Sequence, residues 1–251
     1  MQKVKDINNV EIIQKKNSSI HPSTIIYGKG KLILDEGASI EENCTIGLGD
    51  NGEIYIGKES RVTRSILECN DYSIFHGHPD QNKIFYEKAH VNNSHGKIII
   101  GDYNAIAPYS LLIASLGGSI ELSDHVNIMS SSLEADAGTI KIGSYSYTNR
   151  YAVINGMGGV TIGQHVLIAP HVVLYSGSHI KSKKTTISRQ GFTMKGIVIE
   201  DDVWLAAGSQ IIDGTKVATG CVAAANAVIN KDTLPFGVYA GVPAKRVKDR
   251  D

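Results

Sequence analysis

The sequence predicts an all-β coil of short, flat strands wound in parallel around one hydrophobic core. Three observations predict it. Aliphatic residues recur at a strict spacing of six: Ile199, Leu205, Ile211, Val217, Ala223 and Ile229 make one unbroken series, and Val160–Val166–Val172, Ile162–Ile168–Leu174 and Ile100–Ile106–Leu112 make shorter ones. A longer period lies above the first, because Ile98-Ile99-Ile100-Gly101, Ile120-Glu121-Leu122-Ser123, Ile140-Lys141-Ile142-Gly143 and Val160-Thr161-Ile162-Gly163 recur at steps of 20–22 residues. Glycine is frequent (26 residues) and aromatic residues are few (6%), which suits tight corners and short strands better than long helices.

The alternatives fail on period. A helix places apolar residues at i, i+3, i+4 and i+7, and a plain strand alternates by two without holding a six-residue register across 199–229. A β-sandwich needs hairpin signals between alternating runs, and these are rare here. Three hexads of strand plus corner then close one turn of a three-sided prism, with successive turns about 4.8 Å apart. The aliphatic residue of each hexad points inward. The residue after it is often Gly or small and polar, as suits a bend with positive φ.

In chain order, residues 1–20 precede the first clear repeat and are expected to be a cap or tail. Copies of the repeat at Leu32-Ile33-Leu34 and Ile54-Tyr55-Ile56-Gly57 open a single domain over 21–248. Residues 69–96 break the coil with a polar segment holding four histidines and the aromatics Tyr72, Phe75, Phe85 and Tyr86. The coil resumes at Ile98 and is broken again by an extended loop at about 178–195; loops this long inside a compact repeat tend to carry function. The unbroken hexads of 199–229 follow, then a C-terminal end over 230–248.

Composition narrows the function classes. Lys+Arg and Asp+Glu both number 25, so no global positive field exists to hold nucleic acid or an anionic membrane. Cys44, Cys69 and Cys221 are odd in number and far apart, which suits buried thiols in a reducing compartment and gives neither a disulfide framework nor a metal motif. No apolar run approaches the length of a membrane span and no signal peptide is visible, so the expected location is the cytoplasm.

Three stretches carry a family resemblance. VTIGQHVLIAPHVVLYSGS (160–178) followed by His179, IVIEDDVWLAAGSQIIDG (197–214) and VINKDTLPFGVYAGVPAKRVK (228–248) resemble the hexapeptide-repeat acetyltransferases of the galactoside and maltose O-acetyltransferase type. The resemblance covers about 147–248, under half of the chain; the first half shares only the repeat. It implies a left-handed parallel β-helix, acetyl-CoA as co-substrate with no metal, and a homotrimer with active sites between neighbouring coils. The implied reaction moves an acetyl group to a hydroxyl of a saccharide in a capsule, lipopolysaccharide or similar glycan.

The resemblance also assigns residues. His179, on position alone a loop histidine, matches the family's general base; a sugar hydroxyl must lose its proton as it attacks a thioester. Asn149 falls where the family carries an acceptor-binding asparagine, although a corner Asn also suits a left-handed turn. Trp204, the only tryptophan, matches one beside the acyl group and would serve acceptor and coenzyme. Ala206, Ala207, Ala224 and Ala225 would let the pantetheine arm approach the backbone. Ala206 and Asn226 stand where the family often has Gly, which puts the groove shape in doubt. Lys231, Lys245 and Arg246 would meet the coenzyme phosphates.

Rival functions remain open at this stage. One is N-acetylation of a nucleotide-linked amino sugar, and another is antibiotic O-acetylation. A third is a zinc hydro-lyase of the γ-carbonic-anhydrase type, with His90, His95 and either His76 or His78 as ligands. The last is a non-catalytic β-helix. The cations of the loop (Lys181, Lys183, Lys184, Arg189 and Lys195) lean toward an anionic acceptor, although charge runs are usually just solvated.

Overall fold

The computed structural model describes residues 3–7, 9–70 and 95–251. The histidines at 76, 78 and 90 and the aromatics at 72, 75, 85 and 86 lie outside the described residues. What is described is a parallel β-helix of about nine turns. Each turn visits three faces in the same order. One turn runs from Ser119–Leu122 on the first face to Asn127–Ile128 on the second and Ser132–Asp136 on the third, and the next begins at Thr139–Ile142. Turns pair in parallel register: Ile120 with Ile98 and Ile140, Ile128 with Ile106 and Thr148, Leu133 with Leu112 and Ile154.

The six-step series is the core. Ile199, Leu205, Ile211, Val217, Ala223 and Ile229 are all buried, each stacked on its counterpart one turn away. Each large aliphatic side chain taken from water contributes about 1.5–3 kcal/mol. One polar residue interrupts the second-face column. Thr148 is fully buried between Ile128 and Ile168, and its hydroxyl lies 3.2 Å from Ser131 Oγ.

Each end of the coil carries an antiparallel strand on one of its three faces. Lys3–Ile7 pairs antiparallel with Val10–Gln14, the first strand of the first face. At the far end Gly237–Gly241 extends the second face and pairs antiparallel with Ala244–Asp249. Such strands occupy hydrogen-bonding edges that would otherwise template further chains.

The corners meet the expectation of glycine at positive φ only in part: among the described residues ten glycines take positive φ, but the motif glycines Gly57, Gly101, Gly143 and Gly163 do not. Among the non-glycine left-handed positions Tyr, His and Asn predominate: Tyr103, His125, Tyr145 and His165 have φ of 58°, 59°, 61° and 56°. The motif glycines serve a different need. A Cβ on Gly143 would lie 2.6 Å from the Gly163 carbonyl carbon one turn away, so these glycines permit close stacking of turns. The cost of a left-handed Tyr or His is offset by stacking. Tyr103, His125, Tyr145 and His165 form a continuous column, with centroid spacings of 5.1, 4.8 and 5.2 Å and planes within 9°.

Both interruptions leave the prism at one corner. The strand Ile66–Asn70 on the third face precedes the first, and Lys97–Ile100 on the first face follows it. The loop at 178–195 likewise connects Val173–Tyr175 on the third face to Ile197–Ile199 on the first. Coil register is kept across each.

Candidate functional site

His179 stands where the coil stops winding. Ser178–His179 pairs antiparallel with Phe192–Thr193, a two-rung clasp across the base of the loop. The imidazole is exposed, and its ring lies against Phe192 with centroids 4.5 Å apart and planes at 38°. Phe192 is only 6% exposed and packs with Leu116 and Met157, with Ala137 and Met194 against them. The platform beneath His179 is thereby fixed to corners of the preceding turns.

The returning chain is tied by Asp213. Its carboxylate accepts hydrogen bonds from Thr193 Oγ1 (2.9 Å) and from the amides of Lys195 (2.8 Å) and Gly196 (3.0 Å). Gln190 closes the loop tip, accepting from the Ser182 amide (2.7 Å) and donating to the carbonyls of Ser182 and Thr185 (2.8 and 2.7 Å). Lys181, Lys183, Lys184, Arg189 and Lys195 are all exposed around this frame.

A second group gathers on the second face and its following corner. Backbone bonds from Asn149 to Ile168, from Ala169 to Leu205, from Ala206 to Ala223 and from Ala224 to Tyr239 set Asn149, Ala169, Ala206 and Ala224 in one column. Asn149 Oδ1 accepts the Arg150 amide at 2.8 Å. Trp204 is 49% exposed, in register with Leu167 (52% exposed) and Val222. Ala207 and Ala225 sit exposed at the corner. Asn226 takes the left-handed turn at φ 57°, so the corner forms without glycine.

The three C-terminal cations are unlike one another. Lys231 and Lys245 are exposed. Arg246 is engaged, its Nε and a terminal nitrogen donating to Asp249 (2.8 and 2.6 Å), and further bonds reach the carbonyls of Leu234 and Pro235. The Asp249 carboxylate raises the guanidinium pKa further.

One coil does not bring the two groups together. The third face lies between them, and residues 171–178 span about 20 Å at ~3.3 Å per strand residue.

The outer side of the third face carries polar residues that the six-step series passes over. Glu134, Asn155 and Tyr175 are aligned in successive turns. Asp136 accepts a hydrogen bond from buried Ser115 one turn below. Burial pushes the Asp136 carboxyl up despite that bond, and Glu134 adds to the effect. Burial likewise raises the Tyr175 phenol, with Asp136 and Glu134 reinforcing it. The available signal was their 20–21-residue recurrence, one position out of phase with the aliphatic series.

No family model matches the chain. A putative acetyltransferase of Saccharomyces cerevisiae is 32% identical over 158 residues, covering 61% of this chain and 79% of that protein. Galactoside O-acetyltransferase of Escherichia coli is 32% identical over 115 residues, but the alignment covers 45% of this chain and 56% of the enzyme. Among solved structures, the UDP-N-acetylglucosamine acyltransferase of Arabidopsis superposes with a TM-score of 0.61 over 93% of this chain and 73% of its own, at 14% identity, which speaks for the fold alone. The yeast relative is matched over most of its length by a stretch built from the same six-residue coil, and on that ground the chain belongs to the hexapeptide-repeat acetyltransferase family.

Proposed function

We propose that the chain transfers an acetyl group from acetyl-CoA to a hydroxyl of a saccharide, with His179 as general base, at a site shared between coils of a homotrimer. The observation that carries this reading is the exposed His179 imidazole, held on the Phe192 ring at the mouth of a stapled loop. A hydroxyl is a weak nucleophile at neutral pH. Imidazole takes its proton as the oxygen bonds to the acetyl carbonyl carbon, the carbon–sulfur bond breaks, and the imidazolium returns the proton to the departing thiolate. A positioned histidine accelerates such steps by about 10²–10⁴-fold.

Acetyl-CoA fits the alanine corner. Among the described residues neither the Ala207 nor the Ala225 amide N–H donates to a protein acceptor, and both residues are exposed. They can meet amide carbonyls of the pantetheine arm, while Ala206 and Ala224 keep the approach open. Lys231 and Lys245 would meet the phosphates; Arg246 would first have to leave Asp249.

Two features support assembly. His179 and the Asn149–Trp204 group are separated by a whole face, so neither makes a complete site within its own coil. Leu167, Trp204 and Val222 also present an apolar stripe on the second face, of the kind that subunit contacts cover. Among the described residues no three metal-ligating side chains come together, and no helix is long and apolar enough to cross a membrane. The named specificity of the E. coli relative for a galactoside favours a sugar hydroxyl as acceptor.

The test is thermal unfolding with and without acetyl-CoA, followed by thiol release across a saccharide panel. Ligand at 100 times its Kd should add about 2.7 kcal/mol to folded-state stability. An unshifted transition, with no thiol released on any saccharide, would overturn the reading.

A further inference from the structure

The corner between the second and third faces carries a second aromatic column, and one ring is missing from it. The left-handed positions in successive turns are Arg64, Tyr109, Ser130, Tyr151 and His171, joined by amide bonds from Tyr109 to Arg64, from Tyr151 to Ser130 and from His171 to Arg150. Strand register fixes the order, since Leu111 pairs with Ser132 and Ser132 with Val153. Tyr151 stacks on His171 at 5.1 Å. Below Tyr151 the column holds only Ser130, whose hydroxyl turns back to the Pro108 carbonyl at 2.8 Å. Tyr109 follows one turn further down, 79% exposed, and Tyr151 is 63% exposed.

The filled column at the neighbouring corner serves as a ruler. Where each turn supplies a ring, spacings are 4.8–5.2 Å. Tyr109 and Tyr151 are two turns apart, so their rings bound a slot of about 9.6 Å. A cavity of about 430 Å3 occupies this place, lined by Arg64, Tyr109, Met129, Ser130, Arg150 and Tyr151.

We infer that this slot binds one pyranose ring bearing a carboxylate, sandwiched between Tyr109 and Tyr151, and that it is the acceptor subsite of the transferase. Thickness selects the ring. A flat base stacked on both sides needs only about 7 Å at ~3.5 Å per carbon contact, whereas a puckered chair holds its mean plane further from each face and fills the slot. The Ser130 side is small and Met129 is apolar, which suits the C–H faces of a sugar. Charge selects the substituent. Arg64 is paired with Glu42, but among the described residues Arg150 has no ion pair, and a guanidinium matches a carboxylate fork. Position selects the role. Asn149 lies two residues before Tyr151 on the same corner, so a glycan seated in the slot continues toward the assigned acceptor-binding asparagine. The subsite role rests on the transferase reading above; the slot itself does not.

The test fills the gap. Ser130→Tyr places a ring at the left-handed residue of the intervening corner (φ 46°), which is one residue shorter, Ile128 to Leu133 against Ile106 to Leu112 and Thr148 to Ile154. Binding of oligogalacturonate, oligohyaluronate and oligosialate is measured calorimetrically without acetyl-CoA, against maltohexaose as the neutral control. The expected result is at least tenfold tighter binding of an acidic oligosaccharide than of the neutral one. That binding should fall at least tenfold in S130Y and in Tyr109→Ala, and Arg150→Gln should abolish the acidic preference. The acetyl-CoA thermal shift and the assembly mass should stay unchanged in S130Y. Binding of no acidic oligosaccharide, equal binding of acidic and neutral ones, or unaltered binding in S130Y and Y109A would each overturn the slot. A changed assembly mass in S130Y would also overturn it, by showing that a neighbouring subunit occupies the gap. Slot-dependent binding without acetyl transfer would remove the transferase reading and leave the slot standing. Acetyl transfer to an acidic glycan with an acceptor KM indifferent to S130Y would remove the subsite alone.

Discussion

The His179 imidazole rests on the Phe192 ring, 4.5 Å between centroids, across the two backbone rungs that close the 178–195 loop. This contact fixes where the proposed base stands without burying it. His179→Ala should leave folding and the acetyl-CoA thermal shift intact while lowering kcat by about 10²–10⁴-fold. Thiol release under saturating acetyl-CoA measures it. Activity within a few-fold of the parent would mean another group takes the proton.

Asp213 holds the far side of the same loop through three hydrogen bonds. Asp213→Asn keeps the shape but loses the charge, and an amide cannot accept at both positions as a carboxylate does. Bonds to a charged group are worth about 1.5–3 kcal/mol each, and the loss here is local, because the coil core lies elsewhere. The variant should be cleaved faster by protease within 178–195 and lose kcat, with little change in the main unfolding transition. Unchanged proteolysis together with unchanged kcat would show that the loop is held by Phe192 and Met194 alone.

Acid stability should reflect Asp35. Burial works against its charge, but hydrogen bonds from Lys15 Nζ (2.8 Å), Tyr55 Oη (2.6 Å) and the Glu36 amide (2.6 Å) hold its pKa down to about 2. A folded-state pKa below the unfolded value of about 3.9 adds stability that is present above that value and fades as pH falls toward 2. Asp35→Asn should therefore be less stable than the parent at neutral pH and lose less on acidification between pH 4 and 2. Unfolding midpoints across that range measure it, with parallel curves as the contrary outcome.

The coil was legible because its cause is periodic. Ile199 through Ile229 had to be buried at every sixth position, and a stacked prism lets one residue type repeat without a change of role. Thr148 was not legible as core, because a hydroxyl in an aliphatic column is tolerated only through Ser131, which comes from another hexad. The tyrosine and histidine corners were not legible for a similar reason. A single left-handed tyrosine looks costly in sequence, and only the column of Tyr103, His125, Tyr145 and His165 shows what offsets the cost. His179, Asn149 and Trp204 were marked by the motifs around them. Their arrangement on opposite sides of a face depends on three-dimensional winding, which no local motif encodes. Tyr109, Ser130 and Tyr151 lie outside the three quoted stretches, and their relation exists only through turn-to-turn register.

That arrangement allows a mixing test of assembly. If His179 of one coil meets Asn149 of the next, each site in a closed trimer draws on two chains. His179→Ala removes the proposed base, and Asn149→Ala should cost about 10²-fold through loss of a positioned amide. A site built from the intact His179 of one variant and the intact Asn149 of the other is whole. Random exchange of equal amounts should then restore about a quarter of parental activity, by assortment around a symmetric ring. A site contained within one coil gains nothing from mixing, because every chain carries one lesion. Leu167→Glu places a charge in the apolar stripe beside Trp204 and should break the assembly. The variant should show a smaller mass by light scattering, lose activity, and give no recovery on mixing with either of the other two.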